Sequence, residues 1–214
     1  MKEIYNKYLN NKLKLDKKQI ISIICLVIVI SGVVGWVYEF IFYYFNSGMK
    51  TFYMRGANFL PWINIYAWGS LMILALTHKF KKKPWLVFLI AFFSTGILEY
   101  LSGYFMLELT GMRCWDYNTE ILNFGNLSGF VCLRSVTFFG LAGLFLVYGI
   151  VPILIWISTK VNKNVLLVIS IILCSIFLLD ELYNLLFCRI LDTPRASRIY
   201  KDLGLHYMNY FKNY

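Results

Sequence analysis

Apolar residues run almost unbroken through five stretches of this chain. The stretches extend from about Ile20 to Phe45, Trp62 to Thr77, Trp85 to Leu107, Val131 to Ile157 and Val165 to Cys188. Most exceed the roughly 20 residues that a helix needs to cross a bilayer. The expected fold is therefore all-α: a polytopic transmembrane helical bundle of about five spans. The second stretch is the shortest. Its start, Asn58 to Tyr66, holds Pro61 and Asn64 and reads as broken or re-entrant, which is tolerated only where protein or water satisfies the backbone. The first stretch follows a lysine-rich start, as a secretory signal does. It is too long for one, and no small-x-small cleavage site follows.

Composition agrees. Charged residues make up 15% of the chain and apolar ones 59%, whereas a soluble domain carries about 25% charged residues. The 19% of aromatic residues suits belts of Trp and Tyr at the two interfaces. With 214 residues there is room for one membrane domain (20–191), a basic N-terminal segment (1–19) and an amphipathic tail (192–214). No Walker-type glycine loop is present. The formal charge of +10 does not imply nucleic acid, because the lysines flank the spans, where they meet anionic head groups of the bilayer. Cys25, Cys114, Cys132, Cys174 and Cys188 lack metal-site spacing, and His78 and His206 are far apart, so neither a metal nor another cofactor is implied. Cys114 and Cys132 share one side, but a disulfide between them is the lesser reading.

Orientation follows from lysine and arginine. Lys2, Lys7, Lys12, Lys14, Lys17 and Lys18 precede the first span, Lys79 and Lys81 to Lys83 follow the second, and Lys160 and Lys163 follow the fourth. With five spans these fall on one side, predicting a cytoplasmic N-terminus. The tail disagrees. It carries Arg189, Arg195, Arg198, Lys201 and Lys212 yet falls outside by this count. Asp192-Thr193-Pro194 reads as a helix start with proline in the first turn, opening a short helix on the membrane surface.

Acidic residues inside the spans are the functional candidates, since a carboxylate at membrane depth costs roughly 2.5–3.5 kcal/mol on insertion scales. Gly32, Gly35, Trp36, Glu39 and Tyr43 share one helical face, as do Thr95, Glu99, Ser102, Gly103 and Met106. Ser170, Cys174, Phe177, Glu181, Asn184 and Cys188 form a third stripe, with Asp180 about 100° from Glu181. Glu99 lies roughly 20 Å past Trp85 at about 1.5 Å per residue. Glu39, Glu99 and Glu181 fall in the outer half, below loops carrying Arg55, Arg113 and Asp116. Together they predict a charged, outward-facing cavity. The plainer reading is that such carboxylates sit in the head-group zone, or that a pair such as Glu99 with Arg134 locks two helices. For Glu181 and Asp180 the structural role is the stronger one. Ser/His/Asp sets, Gly-x-Ser-x-Gly and His-Glu-x-x-His are all missing from the sequence, so an enzyme is the weaker expectation.

Four groups of residues then carry a resemblance. They are Gly35-Trp36 with Glu39; Arg55-Gly56 with Pro61, Ile65-Tyr66 and Gly69; Leu98-Glu99-Tyr100 with Gly103 and Glu108; and Trp115-Asp116-Tyr117 with Asn126 and Gly129. In this order and spacing, from about Gly35 to Pro152, the chain resembles bacterial membrane proteins known as putative ABC transporter permeases (ABC-transporter type IV). It departs from them in reading Leu60-Pro61 and Asn64-Ile65-Tyr66-Ala67 after Arg-Gly, and Cys114 where a first tryptophan is usual. The resemblance implies a transport protein of the bacterial plasma membrane, partnered by an ATP-binding subunit or by copies of itself. Glu39, Arg55, Glu99, Trp115, Asp116, Tyr117 and Asn126 in these motifs, with Arg134 at the start of the fourth span, are the expected substrate-binding residues. The cytoplasmic loops are very short for coupling to an ATPase. Two other classes therefore stand beside it: a membrane enzyme acting on lipid or cell-envelope substrates, and a non-catalytic assembly or regulatory protein.

Overall fold

The computed structural model describes residues 1–46, 54–111 and 113–205. His206, Tyr207, Tyr210, Phe211 and Lys212 of the tail lie outside the described residues. The regular elements are helices: α1 (Lys2–Leu9), α2 (Lys17–Asn46), α3 (Asn64–Thr77), α4 (Pro84–Thr110), α5 (Leu133–Lys160), α6 (Lys163–Ile190) and α7 (Ala196–Asp202). One π-helical turn interrupts α5 at Leu146–Ile150 and another interrupts α6 at Tyr183–Phe187. By length and composition, α2, α4, α5 and α6 are able to cross a membrane. The helical part of the second stretch is 14 residues, about 21 Å against a hydrocarbon core of about 30 Å.

Local chemistry sets several boundaries. Pro84 opens α4, where its missing N–H costs nothing. Gly111 closes α4 in the left-handed conformation, donating its N–H to Leu107 O at 2.8 Å. The Asn162 side chain caps α6 by accepting from the N–H groups of Asn164 and Val165. Helix α7 starts at Ala196, after Arg195, rather than at Asp192. Asp192 has a left-handed φ of 50°, which turns the chain before a helix can begin.

Two compact units make up the chain. In the first, built mainly from residues 69–153, α4 packs on α5 through small residues. A Cβ on Gly140 would come within 2.5 Å of the Phe88 ring, and one on Gly143 within 2.6 Å of Ala91 Cβ. Close approach of this kind is how helices associate where lipid offers no hydrophobic drive. Helix α1, not expected from the sequence, belongs here. Its buried Tyr8 receives the Lys81 ammonium 3.9 Å above its ring, and Asn11 donates to His78 O at 3.4 Å. The basic segment therefore lies beside the loop that joins α3 to α4.

In the second unit, residues 14–68 and 154–207, α2 packs on α6. The α2 face predicted from Gly32, Gly35, Trp36 and Tyr43 is the buried one. A Cβ on Gly35 would overlap the Tyr66 ring, so only glycine admits Tyr66. At one end, Lys18 donates to Asn164 Oδ1 at 2.6 Å, Lys163 pairs with Asp16 at 2.5 Å, and Gln19 donates to Ser158 O at 3.0 Å. These contacts join the start of α2 to the end of α5 and the turn before α6.

Candidate functional site

The predicted site residues fall into two groups, one in each unit. In the first unit, Glu99 sits on α4 with only 4% of its surface exposed. Its carboxylate accepts from Ser135 Oγ at 2.8 Å and from the Tyr117 hydroxyl. Ser135 belongs to the first turn of α5, and its hydroxyl also receives the Cys132 N–H at 3.2 Å. A carboxylate in an apolar helix is thus met by hydroxyls from a loop and from the next helix, as burial demands.

The loop that delivers Tyr117 is built around Asp116, which is buried. Its Oδ1 accepts from the Asn118 N–H at 3.0 Å, from Asn118 Nδ2 at 2.8 Å and from Arg113 Nη1 at 3.0 Å. The first of these caps a 3-10 turn, Tyr117–Thr119. Arg113 also donates to Ser128 O at 3.0 Å. Asn126 donates to Asn118 Oδ1 at 2.7 Å and accepts from the Gly129 N–H at 2.8 Å. Gly129 has φ +76°, and a Cβ there would overlap Arg113 Nη1 and Asp116 Oδ1. Trp115 donates its indole N–H to Phe130 O at 2.8 Å. Arg134 pairs with Glu120, donates to Ile121 O at 3.0 Å, and holds its guanidinium 5.5 Å from the Tyr117 ring centroid. Asp116, Asn126, Trp115 and Arg134 thus shape the loop that presents Tyr117 to Glu99.

In the second unit, Arg55 Nη2 pairs with Glu39 Oε2 at 3.0 Å, and Tyr66 donates to Glu39 Oε1 at 3.3 Å. The guanidinium lies 3.8 Å from the Tyr43 ring centroid, a cation–π arrangement. Arg55 is 4% exposed, so the α2 face binds this arginine by charge and by ring.

Asp180 has the structural role expected of it, and its partners lie far away in sequence. The irregular segment before α3 lies against the middle of α2, where Ile63 donates its N–H to Gly32 O at 3.0 Å. Both Asp180 oxygens serve this segment, accepting from the N–H groups of Phe59 at 2.9 Å and Leu60 at 3.0 Å. Asn184 donates to Asp180 Oδ1 at 2.9 Å and accepts from the Ala196 N–H at 2.8 Å. Tyr200 donates to Phe59 O at 2.8 Å, and Met54 to Leu205 O at 2.7 Å. The tail therefore docks on the irregular segment. Glu181 accepts from the Trp68 indole at 2.9 Å. Ser31 Oγ, Asn58 Oδ1 and Trp62 Nε1 are buried without a hydrogen-bond partner among the described residues, positions suited to bound water. The only sequence signal for Asp180 was its acidity inside an apolar run.

Apolar helices long enough to span and buried carboxylates within them define a polytopic helical membrane protein. Residues 7–185 match the family model described as putative ABC-transporter type IV, and the chain belongs to that family. The match extends well beyond the quoted motifs at both ends. No curated protein and no solved structure matches the chain.

Proposed function

We propose that the chain is a permease-like component of a transporter in the bacterial plasma membrane, with its N-terminus cytoplasmic, and that it works with an ATP-binding subunit. In this reading Glu99 binds a polar or cationic part of the transported molecule. The observation that carries it is a carboxylate buried in the apolar helix α4 and oriented by two hydroxyls. Ionisable groups at such depth are costly, and they mark substrate and ion pathways. Tyr117 rides on the loop organised by Asp116 and Gly129, so motion of that loop would change the hydrogen bonding of Glu99. Family membership supports a transport role, and positive residues at the N-terminal end support the orientation.

The test begins with gentle purification of the tagged protein from its native membrane. An ATP-binding subunit in stoichiometric amount is the expected result. Its absence, in a detergent that preserves known transporter complexes, would overturn the ABC assignment. Glu99→Gln keeps the shape and removes the charge. It should abolish substrate-stimulated ATP hydrolysis by the complex at unchanged expression, whereas undiminished stimulation would remove Glu99 from the site.

A further inference from the structure

At the end of the second unit where α2 and α6 begin, a cleft of about 610 Å³ opens. Lys17, Lys18 and Lys163 line it, with Asp16, Asn164 and Val161. Three ammonium groups against one carboxylate leave the lining at +2. The single carboxylate is engaged by Lys163 at 2.5 Å, while Lys18 rests on the neutral amide of Asn164 at 2.6 Å. Lys17 makes no ion pair among the described residues.

Apolar side chains are exposed farther along both helices that begin here. Lys17, Ile20, Ile21 and Ile24 fall on one stripe of α2, and Val165, Val168 and Ile172 on one stripe of α6. Each of these six apolar side chains is 43–56% exposed. Both helices are membrane-spanning by length and composition, so the lysines lie where hydrocarbon gives way to head groups and the exposed stripes where acyl chains run.

We propose that this cleft binds the phosphate of an anionic phospholipid, with Lys17 and Lys18 on the head group and the acyl chains along the α2 and α6 stripes. The site is independent of the transport reading, since it lies in the other unit from Glu99 and requires no ATP-binding partner.

The experiment titrates the full-length protein in detergent with phosphatidylglycerol or phosphatidylcholine and counts bound lipids by native mass spectrometry. The wild type should retain phosphatidylglycerol in preference to phosphatidylcholine. A lysine near a membrane surface contributes about 1 kcal/mol toward an anionic lipid, so K17A/K18A should weaken phosphatidylglycerol binding about thirty-fold. The charge-preserving K17R/K18R should stay within about two-fold of wild type, since either cation meets the same attraction. K82A/K83A, in the α3–α4 loop outside the cleft, should weaken phosphatidylglycerol binding far less than K17A/K18A. Circular dichroism checks that helix content is the same in every variant. Equal retention of both lipids, or binding indifferent to K17A/K18A, would overturn the proposal. Displacement of phosphatidylglycerol by millimolar inorganic phosphate would overturn it too, since that would identify a site for the free anion.

Discussion

Removing the Asp180 carboxylate gives the sharpest test of how the irregular segment is held. In D180A, the N–H groups of Phe59 and Leu60 lose their acceptor, and so does Asn184 Nδ2 through its bond to Oδ1. Asn184 keeps its bond to the Asp180 backbone carbonyl at 2.9 Å, so its loss is smaller. A buried donor left unsatisfied costs about 1–3 kcal/mol. Both bonds are only partly buried and Leu60 is 40% exposed, so water replaces part of what is lost, and a loss of about 1–3 kcal/mol is expected. D180N retains one acceptor oxygen and turns an amide donor toward the second N–H, so about half of that loss is expected. The assay is unfolding of the purified protein in mixed micelles, read by tryptophan fluorescence, with wild type, D180N and D180A expected to descend in that order. Limited proteolysis should show new cleavage within residues 54–63 in D180A. A D180A protein within about 0.5 kcal/mol of wild type, the range of an ordinary surface substitution, would refute the claim that this carboxylate secures the segment.

Other expectations are simpler to check. G35A pushes a methyl into the Tyr66 ring and should cost about 1–3 kcal/mol by overpacking, measured by the same unfolding. G129A should unmake the Asp116 loop, because it meets Arg113 and Asp116 at a positive φ; substrate-stimulated ATP hydrolysis should fall with it, as for Glu99→Gln. The Lys163 ammonium, and then the Gln19 N–H, hold the Asp16 carboxyl below its usual pKa of 3.8. A carboxylate with a lowered folded pKa stabilises above its unfolded value and loses that stability as pH falls through the folded one. The contribution of Asp16 should therefore be complete above about pH 5 and fade below about pH 4, and K163A should shrink that acid-dependent part of the unfolding profile.

The parts of the fold that follow from length and periodicity were legible in the sequence. The long spans were readable because twenty apolar residues have few other uses in water; the capping roles of Pro84, Gly111 and Asn162 emerge only in the structure. The buried face of α2 was readable because Gly32, Gly35 and Trp36 recur at helical spacing. Long-range partners were not readable. Nothing near Asp180 in sequence announces that Phe59 and Leu60 will donate to it, and the π-helical turn beside it at Tyr183–Phe187 has no compositional mark. The pairing of Glu99 with Tyr117 and Ser135 was likewise hidden, because it depends on the path of a loop. Glu39 and Glu99 stood out singly, and the structure supplies their partners within each unit.

The docking of the tail on the irregular segment bears on how the protein is made. The N–H of Phe59 reaches its acceptor 121 residues later in the chain, and its carbonyl reaches Tyr200 141 residues later. At about 5–20 residues per second of synthesis, those backbone groups wait roughly 6–28 s after they emerge before a partner exists. During that interval the irregular segment before α3 lacks these two partners. A nascent chain stopped before Asp180 would leave the N–H groups of Phe59 and Leu60 without this acceptor. The bonding of this early segment is therefore finished only once Asp180 and Tyr200 have been made, so a change at either acts on a residue 121 or 141 positions earlier.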